Sequence, residues 1–413
     1  MYILYDIIVS ASRFFLQIIA LFNKKIKLFI GGRKETFEKL NSEINSDDKV
    51  IWIHCASLGE FEQGRPIIEK IKQKYTNHKI VLTFFSPSGY EVRKNYDGAD
   101  VVCYLPLDTK SNAKKFLNAI HPDIAIFVKY EFWPNILKAL KERNVETILV
   151  SGIFRKDQAF FGPFGGWMRK SLKSFSHFFV QDENSQKLLA GIGIQDVIIS
   201  GDTRFDRVNE IRQQNNHLDF IEEFKQEKLT FVAGSTWKED EQLIVDYINN
   251  KASKEEKFII APHNINPKEI KELQNSLNKK TVLFSEKEPQ DLKEFQVFII
   301  DTIGILTKIY SYANIAYVGG GFETGLHNIL EPATFGVPII IGPKYDKFRE
   351  AVELVNEGGC FVVYTKDEFN SQLKELFTDE NDRTKKGEIT KSFINQNIGA
   401  TKKVLEYIDS KIF

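Results

Sequence analysis

Ionisable side chains gather just behind short apolar runs of this chain. After Val50–His54 comes Cys55-Ala-Ser57-Leu-Gly-Glu60. Ser57 and Glu60 have capping-box spacing, with Pro66 near the start of the helix that follows. Glu60 is then either a helix cap or a general base at a cleft edge. The two roles are compatible, because a cap fixes the side chain it uses. After Ile124–Val128 comes Lys129-Tyr-Glu131-Phe132-Trp133-Pro134. Pro134 suits a first helical turn, the helix dipole favours a carboxylate such as Glu131 there, and Phe132 and Trp133 read as packing. After Val197–Ser200 comes Gly201-Asp202-Thr203-Arg204, which puts Arg204 either at the mouth of the same cleft or on the solvated surface.

The second half repeats the arrangement. Gly234-Ser235-Thr236 offers backbone and hydroxyl donors to an anion. Pro262-His263 places an imidazole where it could meet a phosphate or a base, or cap the next element. The densest stretch is Gly319-Gly-Gly321-Phe-Glu-Thr-Gly325-Leu-His327-Asn328-Ile329-Leu330-Glu331. Its glycines let a ligand approach the backbone, the next helix N-terminus offers N–H groups, and Glu331 could accept from a ribose diol. The spacing fails G-x-G-x-x-G, and no Gly-Lys-Ser/Thr follows, so this is a generic nucleotide turn or a structural one.

The positioning elements are apolar runs alternating with helical patterns. Strands are expected at Val50–His54, Lys79–Phe85, Val101–Tyr104, Ile124–Val128, Thr147–Ser151, Phe178–Val180 and Val197–Ser200. A second set is expected at Thr230–Ala233, Phe258–Ala261, Val282–Phe284, Val297–Ile300, Ile315–Val318, Pro338–Ile341 and Phe361–Val363. Helices between them include Arg65–Tyr75 and Asn112–Ile120. Buried runs alternating with helices mean parallel sheets of βαβ units. The fold class is therefore α/β, with two doubly wound, Rossmann-like domains whose strand ends face a central cleft. A length of 413 residues agrees. The expected division is a membrane-associating segment 1–22, an acceptor-binding domain 23–207, a linker 208–228 and a nucleotide-binding domain 229–413, with room for the last helix to pack back on the first domain.

Lys+Arg and Asp+Glu are both 56, so the formal net charge is zero and nothing global favours nucleic acid. Cys55, Cys103 and Cys360 show no CxxC spacing and the histidines no HExxH, so neither a disulfide framework nor a metal site is readable. Met1–Phe22 is mostly apolar but contains Asp6 and Arg13, and Lys24, Lys25 and Lys27 follow it. The apolar-then-basic order is the reverse of a signal peptide. Charges at a span centre cost roughly 2.5–3.5 kcal/mol each, which favours an interfacial helix with its lysines on anionic headgroups. A core helix covering the first domain is the plain alternative.

Taken in order, these segments resemble the Kdo (3-deoxy-D-manno-octulosonic acid) transferases, inverting glycosyltransferases of the GT-B class. The match runs through Ser57-Leu-Gly-Glu60, Leu105-Pro106-Leu107-Asp108, Glu131-Phe-Trp-Pro-Asn135, Gly201–Asp206, Ala233-Gly-Ser-Thr236, His327-Asn-Ile-Leu-Glu331-Pro-Ala333, Phe335-Gly-Val-Pro338 and Phe348-Arg349-Glu350. The resemblance implies that Glu60 is the catalytic base and that Glu131 and Arg204 stabilise the transition state. It implies that Pro262, His263, Ile303, Gly304, Ile305, Asn328, Ile329, Leu330 and Glu331 hold the donor nucleotide. The implied donor is CMP-Kdo, the acceptor a lipid A precursor (lipid IVA), and the location the cytoplasmic side of the inner membrane, with no cofactor and no metal. The family often carries Lys at Arg204, Arg at His263 and a second double glycine at Gly325-Leu326; a neutral imidazole is a weaker phosphate ligand than Arg. The rival reading is a GT-B enzyme acting on a UDP-sugar, as a lipid-linked sugar transferase or an epimerase.

Overall fold

The structure is a computed structural model that describes residues 2–163, 165–323 and 325–412. Met1, Phe164, Thr324 and Phe413 lie outside it, as do the side chains of Tyr2, Ile3 and Arg13. Two compact units are present: Met1–Arg207 with Ile398–Phe413, and Val208–Asn397.

The first unit holds a parallel sheet of β1 (Lys49–Cys55), β2 (His78–Phe84), β3 (Val101–Tyr104), β4 (Ile124–Val128), β5 (Glu146–Gly152), β6 (His177–Val180) and β7 (Val197–Ile199). Their order is β3-β2-β1-β4-β5-β6-β7. Because helices cover both faces, β1 is buried on both, which is why it reads as a continuous apolar run. Trp52, Val81 and Val101 pack on one face, and Ile53, Leu82 and Phe84 on the other. Helix Ala400–Ile412 joins that second face through Val404 and Ile408.

The second unit holds β8 (Leu229–Thr236), β9 (Glu256–Pro262), β10 (Thr281–Leu283), β11 (Val297–Ile299), β12 (Ile315–Val318), β13 (Ile339–Ile341) and β14 (Cys360–Val362). Their order is β10-β11-β9-β8-β12-β13-β14. In each sheet the winding reverses beside the first strand, between β1 and β4 and between β8 and β12. Open α/β sheets bind ligands outside the strand carboxyl ends at such reversals.

The stretch 208–228, expected as a helix or linker, carries the end of helix Thr203–Gln213 and all of helix Asp219–Lys225, and it groups with the second unit. Two expectations are corrected. The helix after β1 starts at Leu58 rather than near Pro66, which lies inside it. Gly234-Ser235-Thr236 is the end of β8 rather than a turn after it, with a register break against β9 and Ser235 at φ +54°.

At the N-terminus stand α1 (Tyr2–Ile19), α2 (Lys24–Gly31) and α3 (Thr36–Glu43). Among the described residues no helix is long and apolar enough to cross a membrane. One side of α1 is hydrogen-bonded to the body. The Tyr5 hydroxyl donates to Asp108 (3.0 Å), and Asp6 accepts from the Lys110 backbone N–H (2.7 Å) and the Asn135 amide (3.3 Å). Ile7, Ile8, Phe14, Phe15, Ile18 and Ile19 stay exposed.

Candidate active site

In the first unit the candidate residues sit at the reversal. Ser57 caps α4 (Leu58–Lys74) in extended geometry, but the capping box does not form: the Ser57 hydroxyl turns to the carboxylate of Glu60 instead. Glu60 is half-buried in the first turn of α4. Glu131 is buried three residues beyond β4, ahead of a helix that starts at Pro134. It accepts from the Trp133 indole N–H (2.7 Å) and lies 3.1 Å from Nε2 of the fully buried His54. Trp133 thus packs, as expected, against Phe85 (4.5 Å between centroids), but it also orients a carboxylate. Burial, and after it Glu60 and Glu131, hold the Cys55 thiol well above its usual range, so both acids act on the end of β1. Between them Lys129 adopts φ +71°; such non-glycine strain concentrates at functional sites.

Arg204 lies in the first turn of helix Thr203–Gln213 and donates to Asp202 through Nε (2.9 Å) and Nη2 (2.8 Å). Burial pushes the Asp202 carboxyl up, but Arg204 and then Lys129 outweigh it, and the group lies below its ordinary value. The Gln63 amide of α4 also reaches Asp202 (3.3 Å). Arg204 is therefore a half-buried cation fixed on an anion, not a free surface arginine.

In the second unit the strand ends gather aromatic rings. Trp237 stacks on His263 (4.7 Å, 21°), and His263 on His327 (4.4 Å, 28°). The Trp237 indole N–H donates to Nε2 of His327 (3.1 Å), so that nitrogen carries no proton. Burial, and then His263, lower His327 to about 4, and burial lowers His263 as well. Both rings are neutral near pH 7, so any hold on a phosphate here is a neutral N–H contact. The glycine turn is anchored by Asp240, which accepts from Tyr317 (2.6 Å) and from the Gly320 N–H (2.9 Å). A Cβ at Gly319 would fall 2.3 Å from the Ser235 carbonyl oxygen, so only glycine fits.

Glu331 accepts from Thr307 (2.8 Å) and Asn328 (3.2 Å). This brings Glu331 beside the Ile303-Gly304-Ile305 stretch, where Gly304 has φ +96° and Ile303 is exposed. Ile329 and Leu330 are buried and can offer a ligand only backbone. The helix after Asn328 is a single turn, Leu330–Ala333, so the expected helix-terminal phosphate site is short. Pro262 ends β9 beside the ring stack. The roles of Trp237 and Asp240 were not legible in the sequence, because nothing in their local spacing marks them.

The family model described as 3-Deoxy-D-manno-octulosonic-acid transferase (kdotransferase) matches residues 32–207. A 3-deoxy-D-manno-octulosonic acid transferase of Aquifex aeolicus is 30% identical over 335 residues, covering 79% of this chain and 86% of the relative. The chain belongs to the Kdo transferase family. Members of that family are glycosyltransferases. This one is also 28% identical, over 91% of its own length, to a bifunctional glycosyltransferase/methyltransferase of Fusobacterium nucleatum, of which it spans 58%. Among solved structures, the UDP-GlcNAc 2-epimerase of Neisseria meningitidis superposes with a TM-score of 0.62 at 15% identity, over 88% of this chain and all of that one. That likeness concerns the fold, the two-sheet GT-B architecture.

Proposed function

We propose that this Kdo transferase moves Kdo from CMP-Kdo onto a hydroxyl of a lipid A precursor by a single inverting displacement. The observation that carries the reading is the placement of Glu60 and Glu131 at the carboxyl ends of β1 and β4, on either side of the winding reversal. Glu60, half-exposed in the first turn of α4, takes the proton of the acceptor hydroxyl. That oxygen bonds to the anomeric carbon as the bond to the CMP phosphate oxygen breaks, and CMP leaves with the bonding pair. Glu131 is buried against His54 and Trp133 and stabilises the oxocarbenium-like charge. Arg204 offsets the charge of the departing phosphate. In the second unit, the His263–His327 stack, Gly304 and the Asn328–Glu331 turn hold the nucleotide, and no metal is required of them. The exposed apolar side of α1 meets the inner membrane from the cytoplasmic side, where the acceptor is embedded.

The test supplies freshly generated CMP-Kdo and a lipid A precursor and weighs the product. A mass gain of one or more Kdo residues is expected. Glu60→Gln should lower turnover by about 10²–10⁴-fold while CMP still raises the melting temperature. A wild-type rate would remove Glu60 from the base role. Stabilisation by UDP rather than CMP would favour the UDP-sugar reading.

A further inference from the structure

A cavity of about 320 Å³ opens in the first unit between α1, α2, α3 and the segment after β3. Apolar Leu16, Phe29, Ile30, Phe37 and Leu107 line it together with Gln17, Asn112, Arg33 and Lys34. By volume it would hold roughly ten waters, yet its wall is mostly apolar, and it adjoins the helix that exposes Ile7, Ile8, Phe14 and Phe15.

Arg33 is the informative member. Its Nε donates to Leu105 O (2.9 Å), Nη1 to Phe29 O (2.7 Å) and Nη2 to Phe85 O (2.8 Å). Its guanidinium lies 3.7 Å from the Phe29 ring centroid. Burial pulls it down to about 9, with Tyr104 opposing. A guanidinium has five N–H groups; three are used here, leaving one on each terminal nitrogen. Among the described residues it meets no carboxylate. This half-buried cation has carbonyls and rings around it but no carboxylate, and Lys34, exposed beside it, adds a second positive charge.

We propose that this cavity takes an acyl chain of the phosphorylated lipid acceptor, with a lipid phosphate against the two remaining N–H groups of Arg33 and against Lys34. The apolar side chains of the lining fit the chain, the cation without a carboxylate fits the phosphate, and Leu16 of the lining is next to the exposed Phe14 and Phe15 on α1. The inference rests on the lipid-acceptor reading above, but its test needs no donor sugar.

A lipid A precursor with a diazirine at one acyl terminus is placed in phosphatidylethanolamine/phosphatidylglycerol vesicles and photolysed with the full chain, and the labelled peptides are mapped. Label is expected on the segments around Phe29–Phe37 and Leu105–Leu107, suppressed by unlabelled precursor but not by excess phosphatidylglycerol. Leu107→Trp, which fills the cavity, and Lys34→Glu should each cut capture by about tenfold, the equivalent of roughly 1.4 kcal/mol, at an unchanged melting temperature. Label confined to the exposed residues of α1, competition by phosphatidylglycerol, or capture unchanged in both variants would overturn the proposal. Capture as expected without any sugar transfer would sink the transfer reading and leave the cavity assignment standing.

Discussion

Nε2 of His54 lies 3.1 Å from Oε2 of Glu131, across adjacent strand ends of the first sheet and wholly out of water on the histidine side. The Trp52 indole donates to the Thr83 hydroxyl (2.9 Å), which also lies 2.8 Å from Nδ1 of His54. His54 thus bridges the Thr83 hydroxyl and the Glu131 carboxylate through its two ring nitrogens. The Trp133 indole N–H donates to the same Glu131 oxygen (2.7 Å).

Trp133→Phe keeps the packing against Phe85 and removes one donor from Glu131. Turnover should fall about tenfold, with a stability loss of roughly 1–2 kcal/mol. Initial rates and urea denaturation check this; an unchanged rate would mean that the orientation of Glu131 does not matter to the chemistry.

Arg204→Gln removes the guanidinium from the buried Asp202 carboxylate and leaves it the residue-204 backbone N–H (2.9 Å), the Gln63 amide and the charge of Lys129. A loss of up to about 3 kcal/mol is expected, since stranding one member of a buried pair is expensive. Arg204→Lys should recover stability more fully than rate, because a single ammonium does not reproduce the two-nitrogen contact. The carboxyl of Asp202 lies below its ordinary value, so its contribution is present above about pH 4 and is lost as pH falls further. The acid limb of the wild-type stability curve should therefore flatten in Asp202→Asn.

Asp108 shows the opposite sign. It accepts from the Asn135 N–H (3.0 Å), the Ile136 N–H (2.9 Å) and Tyr5, and burial raises it to about 6. With the folded value above the unfolded one, its contribution is complete below the unfolded value near 3.9 and is lost as pH rises through about 6, by about 3 kcal/mol at most. Urea titrations between about pH 4 and pH 7 should show the difference between wild type and Asp108→Asn changing across that window. A constant difference would count against this titration.

Phe14 and Phe15 on α1 are 63% and 62% exposed. Replacing both by Ser should weaken sedimentation with anionic vesicles by more than about tenfold, since each buried ring contributes roughly 1.5–3 kcal/mol. The melting temperature should hold, because the anchoring contacts of α1 are made by Tyr5 and Asp6. Undiminished vesicle binding would place the membrane contact elsewhere.

The sequence by itself determined the periodic core. Each expected strand is present within a few residues, because strands buried on both faces need near-continuous apolar runs and their ends must be punctuated. It also singled out Glu60, Glu131 and Arg204, which stand just past strand ends. Helix starts were less legible: Pro66 suits a first turn, yet it lies inside α4, which begins at Leu58 behind Ser57. Only the tertiary structure decided which side chains meet across long separations. Trp133 with His54, Gln63 with Asp202, Tyr5 with Asp108 and the Trp237–His263–His327 stack each join residues from different elements. A spacing rule reads one face of one element, and sheet order alone decides which faces are brought together.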